Sequence, residues 1–266
     1  MMIYKSTREQ RTRSGGPNGP MTANEIGVAD GMSKVFKIQF ALAKKRDIVN
    51  TMQFDWVASP EMADEIYRFT HGHMAVEANT AGILAGKQVG VQLTDFIDRP
   101  NVTQALMDET YNFAASVGKS TQRQLARTLA IGQAKGETYA QLTKRVQTVF
   151  GITDPDRAVN WRANRIARTE IQHAITIGEV QGWKQTGVVQ AEIWKTAGSG
   201  CPFCQKMNGQ QVGLGEDFFK NGDELTVDFK GEKITLMFNY SDIKGPPLHC
   251  FCRCDLEPVL LDIYQP

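Results

Sequence analysis

All five cysteines of this 266-residue chain lie between Cys201 and Cys254, and everything before Cys201 is free of them. A secreted disulfide scaffold spreads an even number of cysteines through a short chain. Here the number is odd and the cluster is local, which fits reduced thiolates around a metal. The first half of the cluster is Cys201-Pro202-Phe203-Cys204, and the second is Pro246-Pro247-Leu248-His249-Cys250-Phe251-Cys252-Arg253-Cys254. A C-x2-C in a tight turn points two thiolates at one place, and a second turn holding His and Cys closes a tetrahedron around Zn²⁺. Six candidate donors compete for four positions. The reading takes Cys201, Cys204 and His249, with Cys252 or Cys254 in the fourth seat. His249 and Cys252 repeat the spacing of the first turn, whereas an extended segment puts Cys250, Cys252 and Cys254 on one face. Four protein donors leave no position for water, so the metal is expected to be structural.

The rest of the chain sets that module in context. Residues 1–21 are polar, carry Lys5, Arg8, Arg11 and Arg13, and contain Gly15-Gly16-Pro17-Asn18-Gly19-Pro20. Such a composition buries too little to offset ordering entropy, so a disordered basic tail is expected. Ser59 followed by Pro60 opens a helix to about Gly86. Val102 to Val117 reads as a helix capped by Gly118, with shorter helices over Thr121–Ala134 and Thr138–Phe150. The longest helix is expected from Asp154-Pro155 to about Gln185, with Val159, Ala163, Ile166, Ala167, Ala174 and Ile177 on one stripe. Glu170 falls in that stripe, where a buried carboxylate needs a partner; exposure at its edge is the other reading. Arg168 and Glu170 are therefore candidate structural residues that fasten this helix to the cysteine module.

Beyond Gly187 the period shortens. Gln190–Thr196 alternates like a strand, Glu224–Phe229 and Lys233–Phe238 flank a Lys230-Gly231 turn, and Asp255–Leu261 reads as a last strand. The fold class is α+β: a mostly helical region over 22–135, then residues 136–266 with a long helix 154–185 and a β-rich, metal-stabilised Cys/His module 190–261.

Charge and chemistry narrow the function. The formal net charge is +1, so the chain is not a polycation that coats nucleic acid. Cations are in excess over residues 1–150 and anions beyond them, which directs any weak DNA contact to Lys5–Arg13 and Lys34–Arg46. No stretch approaches the ~20 apolar residues of a membrane span, and no apolar run follows the first cations, so neither a membrane contact nor a cleaved secretory signal is expected. Cys-Pro-Phe-Cys resembles a glutaredoxin redox motif, but Asn208-Gly209 breaks the chain soon after it and no βαβ unit precedes it. Zinc deaminases need H-x-E before P-C-x-x-C; here His71-Gly72-His73 has no such Glu, and Gly200 precedes Cys201. His71 and His73 read as exposed helix histidines, and His173 as packed on the long helix. No catalytic set is evident. A zinc-ribbon nucleic-acid-binding module is the alternative class, and a thiol redox enzyme the third.

Several elements occur in a fixed succession. Arg165-Ile166-Ala167-Arg168-Thr169-Glu170 sits on the long helix, followed by Trp194-Lys195-Thr196, Cys201-x-x-Cys204, Met207-Asn208-Gly209, Gly245-Pro246-Pro247-Leu248-His249 and Cys252-Arg253-Cys254. Over about Gly136 to Pro258 this resembles the phage head morphogenesis family, the minor head proteins similar to protein F of phage Mu. Cys250 and Phe251 stand where the family's usual ending has Pro and Asn, so the choice between Cys252 and Cys254 stays open. The resemblance implies a structural, non-enzymatic minor protein of a tailed-phage head, present in the virion and in the host cytoplasm during assembly. Its implied partners are the portal protein or the capsid interior, with a role in DNA packaging or delivery. Residues 1–58 are expected to make the partner contact, and the Cys/His module to be a fixed unit.

Overall fold

The computed structural model describes residues 21–94, 96, 100–152, 161–197, 201–238 and 241–264. The basic tail over 1–20 and the start of the long helix, with Val159, lie outside them. The described helices are α1 (Ala23–Lys45), α2 (Ile48–Thr51), α3 (Pro60–Gln88), α4 (Pro100–Ala134), α5 (Tyr139–Val149), α6 (Trp161–Thr186) and α7 (Pro202–Met207). The strands are β1 (Val189–Lys195), β2 (Gln211–Gly213), β3 (Glu224–Phe229), β4 (Glu232–Met237) and β5 (Asp255–Leu260). Helices come first and strands last, the α+β order. None of the described helices is long and apolar enough to cross a membrane.

By internal packing the chain divides into two compact units that interleave in sequence. One takes Ala23–Met74 and Met107–Ala167, and the other takes Ala75–Leu106 and everything from Arg168. The described elements of the first unit are all helices. In α1, Val28, Met32, Val35 and Phe36 are buried at helical spacing, the stripe expected of an amphipathic helix. Phe36 and Phe40 both meet Phe150, with ring centroids 6.5 and 6.3 Å apart. Arg162 is buried in the same unit. Its guanidinium donates to the Val149 carbonyl and to Thr121 Oγ1, both at 2.7 Å, and lies 4.6 Å from the Phe36 ring centroid. Burial lowers its pKa to about 10, so it stays charged at neutral pH. At the start of α5, Thr138 forms a capping box with Gln141: each side chain bonds the other's backbone N–H, satisfying donors that a helix end leaves orphaned.

The sequence pattern places a helix break at Gly118, but α4 runs through it without interruption. The glycine serves packing instead. A Cβ there would sit 2.9 Å from the Val57 carbonyl oxygen, so Gly118 admits a backbone that any side chain would push away. His71 and His73 are half-buried rather than exposed. His71 stacks on Tyr67 with centroids 4.5 Å apart, and His73 Nδ1 lies 3.2 Å from Asn24 Oδ1. Within residues 1–58, α1 supplies core side chains to its own unit.

In the second unit α6 packs on the C-terminal half of α3 through small residues. A Cβ on Gly178 would overlap the Ala78 carbonyl oxygen, and one on Gly182 would overlap the Gly82 carbonyl oxygen. Such close approach of backbones needs residues without side chains. The strands form an antiparallel sheet in the order β2-β1-β5 and a separate β3-β4 hairpin. In the hairpin, Lys230 and Gly231 have φ of 54° and 84°, the double left-handed turn whose twist suits two antiparallel strands. Leu225 and Val227 of β3 are buried beside Trp194, Phe238 and Leu248.

Candidate metal centre

The first turn of the centre is built by α7. Cys201 occupies the N-cap position and Pro202 the first helical turn, where a missing N–H costs nothing. One turn of helix brings Cys204 round to the side of Cys201. The knuckle is tied to β1 from below: the Gly209 amide donates to the Trp194 carbonyl at 2.8 Å, and Asn208 Oδ1 accepts from the Thr196 amide at 3.1 Å. Asn208-Gly209, which ends the helix early, therefore anchors it as well.

The second turn precedes β5. Thr176 Oγ1 of α6 donates to the Pro246 carbonyl at 2.6 Å, and the Pro246-Pro247 bond is cis. The Cys252 amide donates to the His249 carbonyl at 3.0 Å, and Phe251, in the tight bend between them, has φ 62°. His249 Nδ1 lies 2.8 Å from the Cys250 carbonyl. A carbonyl only accepts, so Nδ1 carries the proton and the Nε2 lone pair is free to bind a metal.

The two turns converge. His249 Nε2 lies 3.1 Å from both Cys201 Sγ and Cys204 Sγ, and Cys204 Sγ lies 3.8 Å from Cys252 Sγ. Two donor triads result, Cys201–Cys204–His249 and Cys204–Cys252–Cys254, with all donor atoms of each within 4.8 Å of one another. Cys204 belongs to both. A tetrahedral metal with ~2.3 Å bonds to sulfur has edges of about 3.8 Å between sulfurs, so the Cys204–Cys252 separation already suits a shared ion. Cys250, exposed, belongs to neither triad.

Protons are unevenly held in the second triad. Hydrogen bonds to Cys252 and Cys254, together with burial, push the Cys204 thiol up. Hydrogen bonds from Cys204 and Cys252, helped by the Trp194 indole and the Ala197 amide, pull Cys254 down to about 3. A thiolate within a cluster of buried thiols is the state that metal binding requires. A CxxC redox motif in a thioredoxin-like fold sits in a βαβ unit; here β1, which precedes α7, has only antiparallel partners.

The two charged residues singled out on the long helix are both buried, Glu170 8% exposed and Arg168 4%. Glu170 pairs with His173 of its own helix at 3.1 Å. Sequence reading passed over Glu192, which has no exposed surface. Burial raises its pKa to about 8, against the opposing pull of the Gly215 amide and Lys184. The signal was its place two residues before Trp194, on the same face of an alternating strand.

Residues 123–257 match the family model described as Phage Mu protein F like protein. That segment holds every donor of both triads, the Arg168–Glu170 stretch and the strands β1 to β4. Neither the curated proteins nor the solved structures yield a match. With half its length covered by that model, the chain belongs to the phage Mu protein F like family of phage head morphogenesis proteins.

Proposed function

We propose that the protein is a structural minor component of a tailed-phage head, acting in head assembly at or near the portal vertex, with its Cys/His module held rigid by one Zn²⁺. The observation that carries the reading is that both donor triads fall inside the family-matched segment. Cys201, Cys204 and His249 supply three ligands, and Cys252, 3.8 Å from Cys204, or Cys254 of the same triad supplies the fourth. Four protein ligands close the coordination shell, so the ion supports structure and activates no water. The role is therefore one of assembly rather than catalysis.

Two measurements test this. Protein purified without chelator should contain close to one equivalent of zinc by elemental analysis; a folded sample with under a few tenths of an equivalent refutes the zinc assignment. Tagged protein expressed during infection should be recovered in purified heads and with portal rings; its absence from heads refutes the assembly role. Arg168 and Glu170 act, in the same reading, as fasteners of α6 within this unit. Glu170→Ala should raise the reactivity of Cys201 and Cys204 toward a thiol reagent, and unchanged reactivity and stability would leave Glu170 with only its local bond to His173.

A further inference from the structure

The solvent face of α1 has an unequal distribution of charge. Its exposed positions are Ala23, Ile26, Asp30, Lys34, Lys37, Ile38, Ala41, Lys44 and Lys45, which recur at helical spacing along one side. Past Asp30 that side holds four lysines and no carboxylate, and Arg46 follows just beyond the helix. None of these five cations has an ion pair with a described residue. Three lie instead against aromatic rings, at 5.8 Å for Lys34 over Phe69, 5.3 Å for Lys44 over Phe40 and 5.4 Å for Arg46 over Trp56. Ring faces hold the stems in place and leave the charges unneutralised. Lys44 and Lys45 also complement the negative end of the helix dipole. Lys34 and Lys37, two to three turns earlier, have no such role.

We infer that this face of α1 is a docking surface for the phosphate backbone of duplex DNA. From Lys34 to Lys45 the stripe is about 16 Å long at 1.5 Å per residue. That length faces about five phosphates of one strand at ~3.4 Å of axis each. Regularly spaced lysines without ion pairs to described residues match a regular line of negative charge. Lysines act on phosphate as point charges, so the contact positions the duplex without reading its sequence. The surface lies outside the family-matched segment. The charge pattern does not depend on the role in head assembly, which only supplies the setting in which DNA is met.

The test uses the full chain, loaded with zinc, and a mixed-sequence 30-base-pair duplex followed by fluorescence anisotropy. With four phosphates neutralised, affinity should fall about 100-fold between ~50 and ~200 mM salt. The combined variant K34Q/K37Q/K44Q/K45Q should lose at least tenfold in affinity at low salt and most of that salt dependence. A control with the same charge change in the other unit, K220Q/K230Q/K233Q/K244Q, should bind like the parent. If the first variant does not fold, K37Q/K45Q, whose lysines touch no ring, should remove about half of the salt dependence. Undiminished binding by the α1 variants, an equal loss in the control, or no binding by the parent overturns the inference. So does a salt-sensitive dimer abolished by the α1 substitutions, which would assign the face to an acidic protein surface. None of these outcomes bears on zinc content or recruitment to heads.

Discussion

The helical unit and the Cys/His module both bury polar groups, and they satisfy them in opposite ways. In the helical unit one guanidinium, Arg162, finds a carbonyl, a hydroxyl and an aromatic face, so its demand is met by the protein alone. In the module three buried thiols crowd together, and their mutual hydrogen bonds lead the causes that drive Cys204 up and Cys254 down. One core is closed as it stands, and the other gathers donors that could hold a metal ion. On the proposed reading, the difference separates two sources of stability within one chain: packing completed by hydrogen bonds, and packing completed by an ion.

Chelation should break the comparison most visibly. Structural zinc contributes apparent free energies of about 10–16 kcal/mol in small domains, and Cys204 serves both triads. Removing the metal, or substituting Cys204→Ser, should shift the emission of the buried Trp194 to the red while leaving helical circular dichroism nearly intact. Equal loss of both signals would show that the two regions do not differ in this way. The converse test is Arg162→Ala. It leaves the Val149 carbonyl without its donor and removes the contact with Phe36, so the helical unit should lose about 2–4 kcal/mol in denaturant melts. Zinc content should be unchanged.

Gly178→Ala sharpens the boundary from the other side. The new methyl would overlap backbone at Ala78, and overpacking of this kind costs about 1–3 kcal/mol. Its effect should appear in the unit that contains the metal centre while thiol protection persists. The remaining test concerns Glu192 and pH. Its folded pKa is about 8, raised by burial from 4.5. Between those values the native state keeps a proton that the unfolded chain has released, so stability falls as pH rises through that window, by at most about 1.4 kcal/mol per unit. Glu192→Gln should flatten the fall in melting temperature from pH 5 to 8. A parallel decline in parent and variant would exclude Glu192 as its source.

Much of this was readable from residue order. The strands announced themselves through alternation, the Lys230-Gly231 turn through its composition, and the donors through cysteine clustering and paired spacing. Gly118 misled because a helix-capping glycine and a glycine admitting a neighbouring backbone look identical in sequence; only the approach of Val57 distinguishes them. His71 and His73 misled for a related reason, since their partners Thr110 and Asn24 are remote along the chain. Spacing also favours neither Cys252 nor Cys254. The choice between them depends on how the bend at Phe251 turns the chain, a backbone property that the residue name does not carry.

The interleaving of the two units imposes an order on synthesis. Residues 23–74 leave the ribosome long before their partners 107–167, and 75–106 emerge between them with their own partners still unmade. At ~5–20 residues per second the first stretch waits on the order of ten seconds with Phe36 still lacking Phe150 and Arg162. Until then α1 presents Phe36 on one side and its lysines on the other.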